Sequence, residues 1–164
     1  MRVYLPSTLS ALRTLLDEGR LGDPPLPAYA VTPALREWYA EGDDEELEYA
    51  AMALAAAASV RLLDADQDAP RRRVVVVAEV GQTEPVPQVD RAAVRVTSVV
   101  SLRDVQAVHV DDPSAAEDVA VAAGAVVEAD LGSDDAAFRV AQAEGHELQW
   151  YATQEIGPLL ELQG

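Results

Sequence analysis

The segment HVDDPS, residues 109–114, brings an imidazole and two adjacent carboxylates to the end of an apolar run. In open α/β sheets ligands bind outside the carboxyl ends of strands, so Asp111 and Asp112, with His109 beside them, form a candidate Mg²⁺ site. Two adjacent acids need further oxygen ligands from other strands, and the sequence marks none. EGDDEE, residues 41–46, offers a second acidic cluster for a cation or an arginine-rich partner. Carboxylates also belong at a helix N-terminus, where the macrodipole is positive, and that reading is preferred. DADQD, residues 64–68, starts like an EF-hand loop and then fails, with Ala69 where glycine is required and Val75 where glutamate is required. Arg71–Arg73 reads as a charged strand entrance that balances an acidic surface.

Several chemistries are excluded outright. The chain has no cysteine, and all 12 of its Lys+Arg cations are arginine. Disulfides, thiolate metal sites, thiol nucleophiles, a P-loop, a Schiff-base lysine and a phospho-receiver pocket therefore cannot be built. No G-x-S-x-G elbow, glycine-rich dinucleotide fingerprint or H-E-x-x-H occurs either. No cofactor is expected.

Aromatic residues carry the other signal. The chain has two Trp, five Tyr and one Phe, and four of these eight lie in two copies of the tripeptide WYA, at 38–40 and 150–152. Tyr and Trp join a broad apolar body to a polar tip and are enriched at interfaces. A core built from Ala, Val and Leu also needs a few large fillers. Helical spacing of Trp38 and the alternation that puts Trp150 beside Leu148 assign both tryptophans mainly to the core. Tyr39, His146, Gln149, Tyr151 and Glu155 are then the candidate exposed binding residues.

A net charge of −17 opposes binding to nucleic acid or anionic membranes, which is done with clustered cations. It suits a soluble protein, and it also allows an acidic mimic of nucleic acid. The N-terminal segment lacks an apolar run and cleavage site of the signal-peptide kind. The weakly polar stretch Tyr49–Val60 is too short to span a bilayer. A cytoplasmic location is expected. Absent Lys and Asn, with a single Ile, point to coding bias in a GC-rich genome.

These residues must be positioned by an order of elements that the patterning supplies. RVYL opens as a strand ended by Pro6, and Ser7 caps a helix that stops at Gly19. A short strand follows at 28–31. Thr32–Pro33 starts a helix carrying Leu35, Trp38 and Tyr39. Asp43 with Glu46 starts a long helix whose Leu47, Ala51, Leu54, Ala58 and Leu62 share a face. VVVVAEV, 74–80, is an inner strand buried on both sides. The segment after it, QTEPVPQVD, is a loop. AAVRVT is an edge or half-exposed strand, and VQAVHVDD is another strand. Pro113 and Ser114, with Glu117, start a further helix. A short helix at 134–143 and a last strand, ELQWYA, complete the order, with Thr153 capping a final turn. The result is a single α/β (α+β) domain: a mixed central sheet of about five to six strands with helices packed on it.

The blocks VTPALREWYAEGDDEELEYAAM, AVHVDD and HELQWYATQEI, with RVYLP at the start, resemble a small uncharacterised family from high-GC actinobacteria. The resemblance spans essentially the whole chain. It implies an intracellular actinobacterial source and transfers no catalytic residue. The leading functional expectation is a non-enzymatic protein-interaction or regulatory module with an acidic surface. The alternative is a small metal-dependent or small-molecule enzyme using Asp111 and Asp112, and the third is the nucleic-acid mimic.

Overall fold

Alternation along the apolar runs decides the layering. In the computed structural model, which describes residues 1–163, β1 (Arg2–Ser7), β3 (Val74–Glu79) and β6 (Val105–Asp111) lie side by side. Val3, Leu5, Val74, Val76, Val108 and Val110 point to one face, and Tyr4, Val75, Val77 and Ala107 to the other. Successive strand residues face opposite ways, so two apolar faces demand cover on both sides. On the first face α1 (Leu9–Glu18) and α6 (Ile156–Gln163) supply Leu9, Leu12, Leu15, Ile156 and Leu160. On the second lies α3 (Asp44–Ala65), joined along its C-terminal half by α4 (Ala116–Asp130), while α5 (Asp134–Glu144) packs on α4.

Seven strands form one sheet, in the order β4-β5-β2-β1-β3-β6-β7. The others are β2 (Leu26–Tyr29), β4 (Thr83–Pro85), β5 (Ala93–Val96) and β7 (Leu148–Ala152). Every pairing is antiparallel, so the sheet is not mixed. Strands that run the same way are kept apart: β2 and β3 are both antiparallel to β1, which lies between them. The seventh strand, β4, sits in the segment read as a loop and pairs Thr83–Pro85 with β5. With β4 outside it, β5 is an inner strand instead of an edge.

Pro6 does not end β1, which runs on through Ser7 opposite Val74. The β1–β2 register is confined to Tyr4 opposite Tyr29, so on that side Pro6 has no neighbour that needs its missing N–H. Thr8, not Ser7, then caps α1, accepting from the Ala11 N–H at 3.1 Å. Ser114 is not a cap either. Asp112 accepts from the Ser114 N–H at 2.9 Å and starts a short 3-10 turn ahead of α4. The caps at Thr32 and Asp43 are as expected from the sequence.

The long helix α3 buries Leu47 and Ala51 of the expected face, and beyond them the inward face turns away from Leu54 and Leu62. Ala51, Ala55, Ser59 and Leu63 are buried, while Leu62 is exposed and Leu54 leans outward against α2 (Pro33–Trp38). Tyr4 and Tyr29 rise from the sheet beneath it and fill the volume that leucines would need, leaving alanines as the side chains that fit. Small residues let helix and sheet approach closely, and Ser59 uses that approach. Its hydroxyl donates to the Ser7 carbonyl at 2.7 Å and accepts the Val74 N–H at 3.1 Å. One buried side chain therefore ties α3 to the ends of β1 and β3. Ser59→Ala strands both backbone groups away from water, and urea unfolding is expected to show a loss of roughly 2 kcal/mol.

Candidate functional site

The two WYA segments meet at one depression of about 750 Å³ on the α3 side of the sheet. Trp38 and Tyr39 stand at one flank with α2, and Trp150 and Leu148 at the other with β7. Between them Ala50, Ala53 and Ala57 of α3 form the floor. Leu54 belongs to the cluster on the α2 flank, and Met52 packs with Leu148 on the β7 flank. The cavity therefore crosses the outward face of α3 from one side to the other.

Both tryptophans are exposed, at 60% each, which corrects their assignment to the core. Tyr49 is 62% exposed and Tyr39 47%, so four large rings line a single opening. The alternation read from ELQWYA is right, since Leu148 and Trp150 do share a face. That face runs past the edge of α3 at this end of the sheet, and nothing among the described residues covers the indole.

Trp38 is positioned through the loop at Arg91. The Thr32 hydroxyl accepts from the Leu35 N–H at 3.1 Å and donates to the Arg91 carbonyl. The Ala30 N–H reaches the Ala92 carbonyl at 2.8 Å. These bonds bring the Arg91 guanidinium to 3.6 Å from the centroid of the Trp38 ring, a cation–π contact.

Trp150 is positioned through a buried ion pair. Arg73 Nε and Nη2 donate to Asp111 Oδ2 and Oδ1 at 2.8 and 2.7 Å, with the side chains 4% and 0% exposed. The Arg73 N–H adds a third bond to Asp111 Oδ2 at 2.8 Å, and Arg72 Nε donates to the Asp111 carbonyl at 2.8 Å. Arg73 Nη2 also reaches the His146 carbonyl at 2.8 Å, while His146 Nε2 lies 2.7 Å from Asp118 Oδ2 on α4. The loop into β7 is thus held from both sides, and β7 runs along β6 with Trp150 opposite His109.

This geometry sorts the residues singled out in the sequence. Tyr39 and His146 line the depression. Gln149 and Tyr151 lie on the opposite face of β7, where the Tyr151 hydroxyl donates to Gln149 Oε1 at 3.1 Å and the ring packs on the α1–α6 core. Glu155 caps the turn after β7, accepting the Ala152 N–H at 2.9 Å, and Thr153 instead donates to the Val105 carbonyl. Asp111 has both oxygens committed to Arg73. Asp112 is bonded to Ser114, and its carboxyl is held below the usual carboxylate range by those bonds. No cluster of three or more metal-ligating side chains occurs among the described residues. Arg72 and Arg73 are buried, so the Arg71–Arg73 run is not a solvated entrance as the sequence suggested.

Sequence reasoning missed Trp38, Tyr49, Arg91 and Trp150 as lining residues. The repeated WYA was the available signal. It marked the right segments: Tyr39 is exposed as expected, whereas Tyr151 packs on the core and both tryptophans, assigned to the core, are exposed.

A family model described as a family of unknown function (DUF6912) matches residues 1–160. No curated protein and no solved structure matches the chain.

Two outcomes are expected from this site. Asp111→Asn removes the counter-charge of a buried guanidinium, and chemical denaturation should show a loss of about 3 kcal/mol or more. Burial pushes the His109 imidazole below its ordinary range, so the folded state binds its proton less readily than the unfolded chain does. Its contribution is intact above the unfolded pKa of about 6.5 and is lost as pH falls below it. His109→Gln should flatten the decline in melting temperature between about pH 6.5 and 5, and an NMR titration of the wild-type ring should give a midpoint below that of free histidine.

Proposed function

The chain belongs to this family of unknown function, and we propose that its members act as docking modules that hold a segment of another protein in the aromatic groove. One observation carries the reading: the only two tryptophans of the chain are both largely exposed and line the same opening. Leaving two indoles in water forgoes about 1.5–3 kcal/mol of burial for each, a cost that a bound partner recovers. Clustered, rigid aromatic side chains are what interface hot spots are made of. A floor of alanines supports the same reading, because it lets a partner's main chain approach the helix closely. The cavity also lies within the size range of sites that hold one ligand or a few anchoring side chains.

A non-enzymatic role fits the groove's polar groups. Arg73 is neutralised by Asp111, the His146 ring lies against Asp118, and burial keeps His109 neutral near pH 7. The composition supports a GC-rich genome, and the family resemblance of the quoted blocks is what points to an actinobacterial source. No described helix is long and apolar enough to cross a membrane.

A random-peptide display selection tests the reading. Peptides enriched on the wild-type protein should lose roughly tenfold or more in affinity, about 1.4 kcal/mol, on both Trp38→Ala and Trp150→Ala variants. Thermal melts of the variants should stay close to wild type, since both rings are exposed. Enriched peptides indifferent to both substitutions, or no enrichment at all, would remove the groove from its proposed role.

A further inference from the structure

The two ends of the groove are built from like parts, with one part missing. At the α2 end an indole, Trp38, carries a guanidinium, Arg91, with Asp90 alongside on the groove wall. At the β7 end an indole, Trp150, is joined by two carboxylates, Glu144 and Glu147, from the stretch of chain that leads into its strand. No cation stacks on Trp150 among the described residues. Neither Glu144 nor Glu147 takes part in an ion pair there. Arg73, which also lines the groove, is paired with Asp111.

From this we infer that the segment docked in the groove belongs to a basic partner and lays an arginine side chain against Trp150, facing Glu144 and Glu147. The inference rests on the docking reading above and adds the chemistry of its occupant. An indole face attracts a cation through its quadrupole, and the attraction grows as water leaves. Guanidinium suits this better than ammonium because it is planar, stacks flat on a ring and is more weakly hydrated. The chain's own Arg91 shows the arrangement in place on the other indole. Charge adds to it. A chain of net charge −17 repels acidic segments and draws basic ones, and the groove offers carboxylates without internal partners.

The two indole N–H signals in a ¹⁵N–¹H spectrum make the test direct, with Trp38→Phe and Trp150→Phe assigning them. The probe is N-acetyl-arginine methylamide, titrated beside the citrulline analogue, which has the same shape without charge, and the lysine analogue. The Trp150 signal should shift saturably with the arginine probe, with half-saturation on the order of 10 mM, and should barely move with citrulline. The Trp38 signal, already covered by Arg91, should move less. Glu144→Gln with Glu147→Gln should raise the half-saturation about fivefold while leaving the melt unchanged. An equal response to citrulline, no saturable shift, or an unchanged response in the double variant would overturn the inference. An equal response to lysine would overturn the choice of arginine. The two proposals fail separately. Selected peptides that need both tryptophans but carry no cation would leave docking standing and remove the arginine.

Discussion

A guanidinium and a carboxylate shut away from water hold the open end of the sheet together. Removing either ion from water costs several kcal/mol, so Arg73 and Asp111 are tolerable only as a pair with their hydrogen bonds satisfied. They are satisfied unusually fully: both carboxylate oxygens, the Arg73 main-chain N–H and the His146 carbonyl all take part. The pair joins the start of β3, the end of β6 and the loop that delivers β7. Those three segments are far apart in sequence, and the height of β7 on the sheet edge, hence the place of Trp150, depends on their being held there.

The rest of the layering follows from side-chain volume. Sheet residues facing α3 include Tyr4 and Tyr29, which occupy the space between the layers, and the helix answers with alanines and one serine. Close approach of helix to sheet leaves no room for an indole. Rings as large as Trp38 and Trp150 are displaced to the two flanks of α3, where the sheet and its loops extend beyond the helix. A thin, alanine-lined layer therefore produces the groove as a consequence of its own packing, with aromatic walls on either side of a small-residue floor.

Much of this was legible in the sequence. Hydroxyl and carboxylate caps at Thr32 and Asp43 located two helices, the valine run gave the inner strand, and period-two alternation paired Leu148 with Trp150. What escaped was decided by contacts distant along the chain. Thr83–Pro85 is too short to show a strand pattern and becomes one only by lying against β5. Alternation assigns residues to faces but does not say where a covering helix ends, so Trp150 was placed in a core that stops short of it. Arg73 looked like a surface charge because its partner lies 38 residues away. Asp111 looked like a ligand for the same reason.

A crystal structure of the protein with a display-selected peptide bears most directly on the claim that both tryptophans belong to one docking surface. Chain density running between Trp38 and Trp150, in contact with Ala53, is the expected result. A peptide seated on the α1–α6 face or along the β4 edge, with both indoles still open to water, would contradict it.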